Sequence, residues 1–306
     1  MEASVKMTPK IVILMGGLSA ERDISLSTGY ECAVALRNQG YHVVQVDAQH
    51  DIVERLLAEG ECVVFNALHG RWGEDGCVQG ILEYLRIPYT HSGVLSSALT
   101  MDKQSTKDAY RSVGLPVVNS MLISKEEVCK GLTKKPPYVV KPNNEGSSIG
   151  IFFVKKDSNF LSEMSDELPD VLLVEDYAVG RELTTAVMGD RALTVTEIET
   201  DGWYDYDAKY TLGLSQHIVP AKIPVEIFDA CLDFALRAHQ VLKCRGVSRT
   251  DFRWDDTKGL EGLVLLETNT QPGMTPTSLV PEQAKSVGIN FGQLCQWIVE
   301  DSSCDR

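Results

Sequence analysis

The sequence has no apolar run that approaches the ~18 residues of a membrane span. Its eight cysteines, at 32, 62, 77, 129, 231, 244, 295 and 304, never fall at a CxxC spacing. That excludes the usual zinc and redox-pair patterns and leaves unpaired thiols of a reducing compartment. Positive charge is also scarce: 29 Lys and Arg stand against 43 Asp and Glu, a formal net charge of -14. A nucleic-acid partner is excluded on that balance, because phosphate neutralisation needs a basic face. A local basic pocket for a small phosphate is not. Neither GxxxxGK[ST] nor GxGxxG occurs, so a P-loop and a standard dinucleotide loop are both unsupported. Internal repeats and low-complexity segments are absent as well. The opening MEASVKMTPKIVILMGG meets Glu21, Arg22 and Asp23 with no small-residue cleavage site, and reads as a first strand and not a signal peptide, with Met1 or Met7 as the start.

What is present is ordinary globular composition. With 306 residues, 43% apolar and 24% charged, the chain suits two or three compact units with substantial cores. Residues 11–15 predict a strand broken by Gly16-Gly17, then a helix over 20–38, a strand over 41–46, a helical piece at 53–58 and a strand at 62–66. Such alternation implies a parallel sheet with ligands near the carboxyl ends of its strands, here Gly16-Gly17 and Leu68-His69-Gly70. A polar helix is expected over 99–113. PPYVVKPNNEGSSIG predicts a strand turning at Pro142 into a glycine-bearing hairpin that returns over 151–154, and a strand follows at 171–175. A hairpin is expected over Gly189-Asp190, and an active-site loop over 202–220, which is long, aromatic and aperiodic. A helix over 224–242, paired strands in SRTDFRW and LEGLVLLETN, and a last helix over 290–300 complete the reading.

The strand in VLLETNTQPGM raises a chemical question, since four apolar residues deliver Glu267 and Asn269 and then a sharp turn at Gln271-Pro272-Gly273. Residues two apart on a strand share a face. Antiparallel pairing with SRTDFRW, around a turn at Thr257-Lys258-Gly259, would add Asp251. Two carboxylates and a carboxamide are hard oxygen donors suited to Mg²⁺, which favours few protein ligands plus substrate phosphates. Lys141 ends a strand just before the NNEGSSIG loop, whose glycines let backbone N–H groups approach a polyphosphate and whose Ser147 and Ser148 offer hydroxyls. Lys103 is a second candidate cation. Either lysine alone would read as a solvated surface charge.

In order along the chain, GGLSAERDIS, ALHGRWGEDGCVQGILE, MDKQSTK, VVKPNNEGSSIG, YDYDAKY, SRTDFRW and LLETNTQPGMTPTSLVP resemble the D-alanine–D-alanine ligase family of the ATP-grasp superfamily, over about residues 11–294. The resemblance implies an α/β ATP-grasp fold of three domains: an N-terminal Rossmann-like parallel sheet over 1–92, a central subdomain over 93–177 and a C-terminal catalytic domain over 178–306. It implies ATP-dependent joining of two D-alanines through an acylphosphate in the bacterial cytoplasm for peptidoglycan synthesis, with two Mg²⁺ (or Mn²⁺), no membrane, and a homodimer. Such chemistry is mostly positioning and charge neutralisation.

Residue by residue, the resemblance makes Asp251, Glu267 and Asn269 metal ligands, and Gly273 an oxyanion-hole N–H with Arg249 as its charged companion. Lys103 and Lys141 match ATP-phosphate lysines, with Ser148 beside them, and Lys209 matches the one that reaches the transferred phosphoryl group. Glu175 falls on the adenine or hinge side and Glu182 on a ribose hydroxyl. Glu21 matches the carboxylate on the first D-alanine's ammonium, joined by Ser147 and Tyr210; Ser278 matches a contact to the second D-alanine's carboxylate, and His69 a histidine that assists proton transfer. Tyr210 points to the dipeptide ligase, because relatives that use D-lactate are typically not tyrosine there. The loop sequence TLGLSQH is more apolar than in relatives, and Trp72 is large beside the glycines. The rival readings are a ligase using D-lactate or D-serine as second substrate, and a catalytically silent ATP-binding protein; the latter would be favoured by loss of Lys209, Arg249 or Glu267, all of which are present.

Overall fold

The computed structural model describes residues 9–132, 134–146, 150–155, 168–200, 215–275 and 278–305. Among these the chain begins with β1 (Ile11–Met15), α1 (Arg22–Asn38), β2 (Val43–Asp47), α2 (Ile52–Glu59), β3 (Val63–Asn66) and α3 (Cys77–Tyr84). It continues with α4 (Val94–Met101), α5 (Lys103–Ser112), β4 (Ser120–Ser124), α6 (Lys125–Lys130), β5 (Tyr138–Pro142), β6 (Phe152–Val154) and β7 (Val171–Asp176). The remainder is β8 (Arg181–Met188), β9 (Arg191–Thr200), β10 (Ser215–Ile218), α7 (Val225–Val241), β11 (Val247–Trp254), β12 (Leu263–Asn269), α8 (Leu279–Ser286) and α9 (Phe291–Glu300). The chain divides into two compact units. One is Met1–Ser97, Lys243–Ser248 and Thr270–Arg306; the other is Ala98–Leu242 and Arg249–Asn269.

The first unit carries the parallel sheet β2-β1-β3, with Ile11 aligned to both Val43 and Val63. Every residue of β1 is apolar and buried, as a central parallel strand covered on both faces must be. Helix α1 buries Ser25, Thr28, Gly29, Cys32 and Leu36, the three-to-four spacing of one helical face. Gly29 permits close packing, since a Cβ there would lie 2.6 Å from Met15 Cβ. Val12, Leu14, Leu56, Val64, Leu82 and Tyr89 form the core under the sheet. The expected helix start at 20 moves to Arg22, with Glu21 at the cap position. The last helix starts at Phe291 because Asn290 and Gln293 form a reciprocal capping box.

The second unit holds two sheets, β4-β7-β5-β6 and β10-β9-β8-β11-β12. The hairpin expected after Pro142 is the antiparallel pair β5–β6, with Tyr138 opposite Val154, and β8 and β9 form the hairpin over Gly189. Helix α7 packs on β8 and β9. The single helix expected over 99–113 is instead two. The Asp102 carboxylate accepts the Ser105 N–H at 2.7 Å and caps a new helix, an N-cap signal that the polar periodicity had concealed. The link between β11 and β12 is a 3₁₀ stretch, Asp256–Gly262, and not a tight turn at 257–259. Of the loop expected over 202–220, residues 202–214 lie outside the described residues, while Ser215–Ile218 is an edge strand paired with β9.

Candidate functional site

The answer to the strand's question is a β-bulge. Strands β11 and β12 pair antiparallel with Arg249 opposite Asn269 and Asp251 opposite Glu267, but Phe252 faces Leu265, so Leu266 is an extra residue. Before it, Leu263 and Leu265 point into the core; after it, Thr268 does, and Glu267 and Asn269 lie half-buried on the other face. Unbroken alternation would have driven both polar side chains inward, and one inserted residue reverses the parity. On β11 the same half-buried face carries Arg249, Asp251 and Arg253, while Thr250, Phe252 and Trp254 are buried. Hydroxyl bonds tie the buried side together, Thr250 Oγ1 to Thr268 Oγ1 at 2.7 Å and Tyr110 Oη to Thr268 Oγ1 at 2.6 Å.

Asp251 accepts from Arg249 Nε at 2.9 Å, Arg249 Nη2 at 2.8 Å and Thr184 Oγ1 at 2.6 Å. An ionised carboxylate offers about four acceptor positions, so these three donors leave room for one more partner. Asp251, Glu267 and Asn269 thus share one face and present hard oxygen atoms, a donor set that fits Mg²⁺ or Mn²⁺.

Lys103 and Lys107 lie one helical turn apart on α5. The Lys103 ammonium is 3.8 Å from Glu267 Oε2 and also donates to the Glu145 carbonyl. Asn143, in the loop after β5, clamps this helix start: its carbonyl accepts the Lys103 N–H at 3.1 Å and its side-chain oxygen the Gln104 N–H at 3.0 Å. Lys141, ending β5, reaches Glu175 Oε1 at 2.6 Å, and Lys107 reaches Glu175 Oε2 at 3.1 Å. Burial alone would push the Glu175 carboxyl up, but Lys141 and Lys107 overcome it and hold its pKa at about 2. Burial also works against the Lys141 charge, which Glu175 and Glu267 nevertheless raise above the ordinary lysine value. Lys107 goes the other way, pushed down by burial against the pull of Glu175. Glu182 pairs with Arg253 at 2.8 Å.

A second group of side chains lies in the first unit. Glu21 is only 6% exposed, its N–H donates to Ser19 Oγ at 3.1 Å, and that hydroxyl donates to the His69 carbonyl at 2.7 Å. Gly70, at φ 68°, keeps the space beside the Glu21 carboxylate open, for a Cβ there would lie 3.2 Å from Glu21 Oε1. His69 Nδ1 is 3.0 Å from Glu74 Oε1 and Nε2 is 3.1 Å from Thr28 Oγ1. Glu21, His69 and Glu74 offer ligand atoms within 4.8 Å of one another. A metal ion there would have to displace one of the two partners of the imidazole, so the group fits an ammonium and proton handling better.

The QPG turn that follows β12 is held by a buried amide pair. Asn66 Nδ2 donates to Gln271 Oε1 at 3.0 Å, and Gln271 Nε2 donates to the Asn66 carbonyl at 3.0 Å and the Leu68 carbonyl at 2.7 Å. Beyond the turn, Ser278 Oγ sits 2.8 Å from Thr275 Oγ1 and accepts the Thr275 N–H at 3.1 Å. A Cβ on Gly273 would lie 3.1 Å from Ser278 Oγ, so glycine there keeps that hydroxyl close to the backbone.

The structure therefore brings Lys103, Lys141, Glu175 and Glu267 into one charged cluster, with Arg249, Asp251 and Asn269 on the adjoining strand face, and Glu21 beside His69. Ser147, Ser148, Lys209 and Tyr210 lie outside the described residues. Sequence reasoning missed Lys107, Glu74, Asn66 and Gln271. The four-residue spacing of Lys103 and Lys107 in MDKQSTK was a readable signal for the first, since residues four apart share a helical face. The Asn66–Gln271 pair, 205 residues apart in sequence, left no local trace.

Residues 110–300 match the family model described as D-ala D-ala ligase C-terminus, and residues 51–92 the one described as D-ala D-ala ligase N-terminus. The chain is 66% identical over 298 residues to the D-alanine--D-alanine ligase of Ruegeria sp. (strain TM1040), covering 97% of each chain. It is 61% identical over 303 residues to that of Roseobacter denitrificans, covering 99% of this chain and 95% of the relative. Among solved structures it is similar to the D-alanine--D-alanine ligase from Bacillus anthracis complexed with ATP, with TM-score 0.80, 31% identity and 96% of each chain covered. It is also similar to the D-alanine-D-alanine ligase from Coxiella burnetii, with TM-score 0.79, 25% identity, and 96% and 93% covered.

Proposed function

The chain belongs to the D-alanine–D-alanine ligase family, with its α/β ATP-grasp fold, and from that premise we propose how its own residues carry out the ATP-dependent joining of two D-alanines. The γ-phosphoryl of ATP passes to the carboxylate of the first D-alanine, giving an acylphosphate and ADP. The amine of the second attacks the acyl carbon, a proton leaves the nitrogen, and phosphate departs with the peptide bond formed. The product serves peptidoglycan synthesis. The observation that carries the reading is the register placing Asp251 opposite Glu267 and Arg249 opposite Asn269 on one half-buried face.

In this reading Lys103 and Lys141 bind the ATP phosphates and Glu182 a ribose hydroxyl. Asp251, Glu267 and Asn269 would hold two Mg²⁺ (or Mn²⁺), which when bound neutralise phosphate charge. Ser148 adds a hydroxyl at the phosphates, and Lys209 meets the transferred group. Arg249, with the Gly273 N–H, stabilises the oxyanion. Glu21 holds the first D-alanine's ammonium with Ser147 and Tyr210, His69 assists proton transfer, and Ser278 takes the second carboxylate. Glu175, its two oxygens on lysines, acts on the nucleotide site from behind Lys141.

The finer division into domains over 1–92, 93–177 and 178–306 belongs to this proposal, and one sheet falls in each stretch. A homodimer and a cytoplasmic setting belong to it too; all eight cysteines are free thiols, and no helix among the described residues is long and apolar enough to cross a membrane. The test is ADP release by the purified protein with ATP and Mg²⁺, supplied in parallel with D-alanine, L-alanine, D-serine, or D-alanine plus D-lactate, with products identified by mass. D-Alanine-dependent ADP and the D-alanyl dipeptide are expected. ATP binding without turnover on any of them would sink the reading.

A further inference from the structure

Lys107 is 0% exposed, yet it carries an ammonium group on a helix whose other face meets solvent. A buried lysine is costly unless it is paired. Its partner is one oxygen of Glu175, at 3.1 Å, while Lys141 holds the other at 2.6 Å. The Lys107 ammonium also lies 3.5 Å from the Leu266 carbonyl, on the extra residue of the bulge that turns Glu267 outward.

Two ammonium groups thus share one carboxylate, which leaves the cluster one positive charge in excess. Lys103 and Glu267, the other charged pair at this cluster, are 3.8 Å apart and cancel each other. Were Glu175 paired with Lys141 alone, its charge would neutralise the ammonium that the proposed function gives to the ATP phosphates. With Lys107 in place, Glu175 is divided and Lys141 stays both anchored and electropositive. Coulomb attraction at such separations is strong where solvent is largely excluded.

We infer that Lys107 is a positioning residue for polyphosphate binding: by taking half of the Glu175 carboxylate, it keeps Lys141 in place with net positive charge toward the nucleotide's phosphates. This deepens the proposed function and rests on it. Lys107 itself acts through Glu175 and Lys141, and through the bulge carbonyl it links the nucleotide cluster to the strand that presents Glu267.

The distinguishing signature is charge, so the probes are ADP, ATP and adenosine titrated calorimetrically, with Mg²⁺, into the full-length wild type and into K107M, E175Q and K107M/E175Q. K107M is expected to weaken ADP and ATP about tenfold while adenosine binding is unchanged. The double variant is expected to recover affinity for ADP relative to K107M, because removing the Glu175 charge restores the excess on Lys141. K107Q, which removes the charge but keeps a hydrogen-bond donor, replaces K107M in the series if the methionine variant does not fold, and is expected to behave the same way. Equal ADP affinity in wild type and K107M, an equal loss of adenosine and ADP, or no recovery in the double variant would each overturn the inference. Wild type that binds no nucleotide would overturn the ATP reading itself, a separate and recognisable failure.

Discussion

Asp251 stands opposite Glu267 across the β11–β12 ladder, and immediately beyond that pair Leu266 has no residue facing it. A pair of carboxylates on neighbouring strands repels itself. Arg249 relieves the repulsion with a two-pronged contact to Asp251, and Lys103 lies near Glu267. The arrangement is tolerable in the free protein and electrostatically suited to divalent cations.

Glu267→Gln keeps the volume and removes the charge. Turnover is expected to fall about a hundredfold or more, with a higher Mg²⁺ requirement and an unchanged circular dichroism spectrum. Normal turnover at ordinary Mg²⁺ would take Glu267 out of the proposed metal set.

Inserting one alanine between Asp251 and Phe252 would give Leu266 a partner, straighten the ladder and swing Glu267 and Asn269 toward the core. Burying an uncompensated carboxylate costs about 3 kcal/mol or more, so urea unfolding should show a large loss of stability together with loss of activity. Leu266→Ala keeps the residue count and with it the register, and is expected to retain turnover. If the insertion is as stable and active as the wild type, the parity argument is wrong.

Glu21→Ala removes the carboxylate proposed for the first D-alanine's ammonium. A charge-assisted hydrogen bond is worth about 2 kcal/mol, so the KM for that D-alanine should rise at least about tenfold while the KM for ATP stays put. Steady-state saturation curves in each substrate separate the two, and an unaltered D-alanine curve would refute the contact.

Gln271→Leu matches the volume but strips three hydrogen bonds from the Asn66–Leu68 segment. Leaving buried amide groups unsatisfied should cost about 2 kcal/mol, read by urea unfolding, and should lower kcat through a misplaced Gly273. Undiminished stability would mean that the network is dispensable.

Acid should act on Glu175. Its carboxyl is depressed from 4.5 to about 2, so its pairing stabilises the fold fully above pH 4.5 and is lost as pH falls toward 2. Other carboxylates titrate in the same range, so the informative quantity is the difference between wild type and Glu175→Gln. The wild type should lose more stability than the variant between those limits, and parallel curves would contradict the assignment.

Much of this was legible in the chain. The all-apolar β1 and the three-to-four spacing of α1 dictate a buried strand and its covering helix, and the β5–β6 and β8–β9 hairpins follow from their turn residues. The β11–β12 pairing was expected as well, including the meeting of Asp251 with Glu267. The reversal of parity at Leu266 was not, because a bulge depends on both strands and a single strand carries no mark of it. Lys107 escaped for a related reason: composition says that lysines are exposed, and only the buried Glu175 partner, 68 residues away, overrides that rule. Asp102 was readable as a cap but was absorbed into a continuous polar pattern.

The first unit is drawn from three separated stretches of chain, and its last, Thr270–Arg306, brings Gln271, Gly273 and Ser278. During synthesis every residue of the second unit, which ends at Asn269, leaves the ribosome before that stretch does. The first unit must therefore wait, its sheet complete but Asn66 lacking its amide partner, while the second unit is already free to fold. A chain ending at Asn269 would carry every residue of the lysine cluster and no QPG turn, so the last of the proposed machinery to be made is Gly273 and the part assigned to the second amino acid.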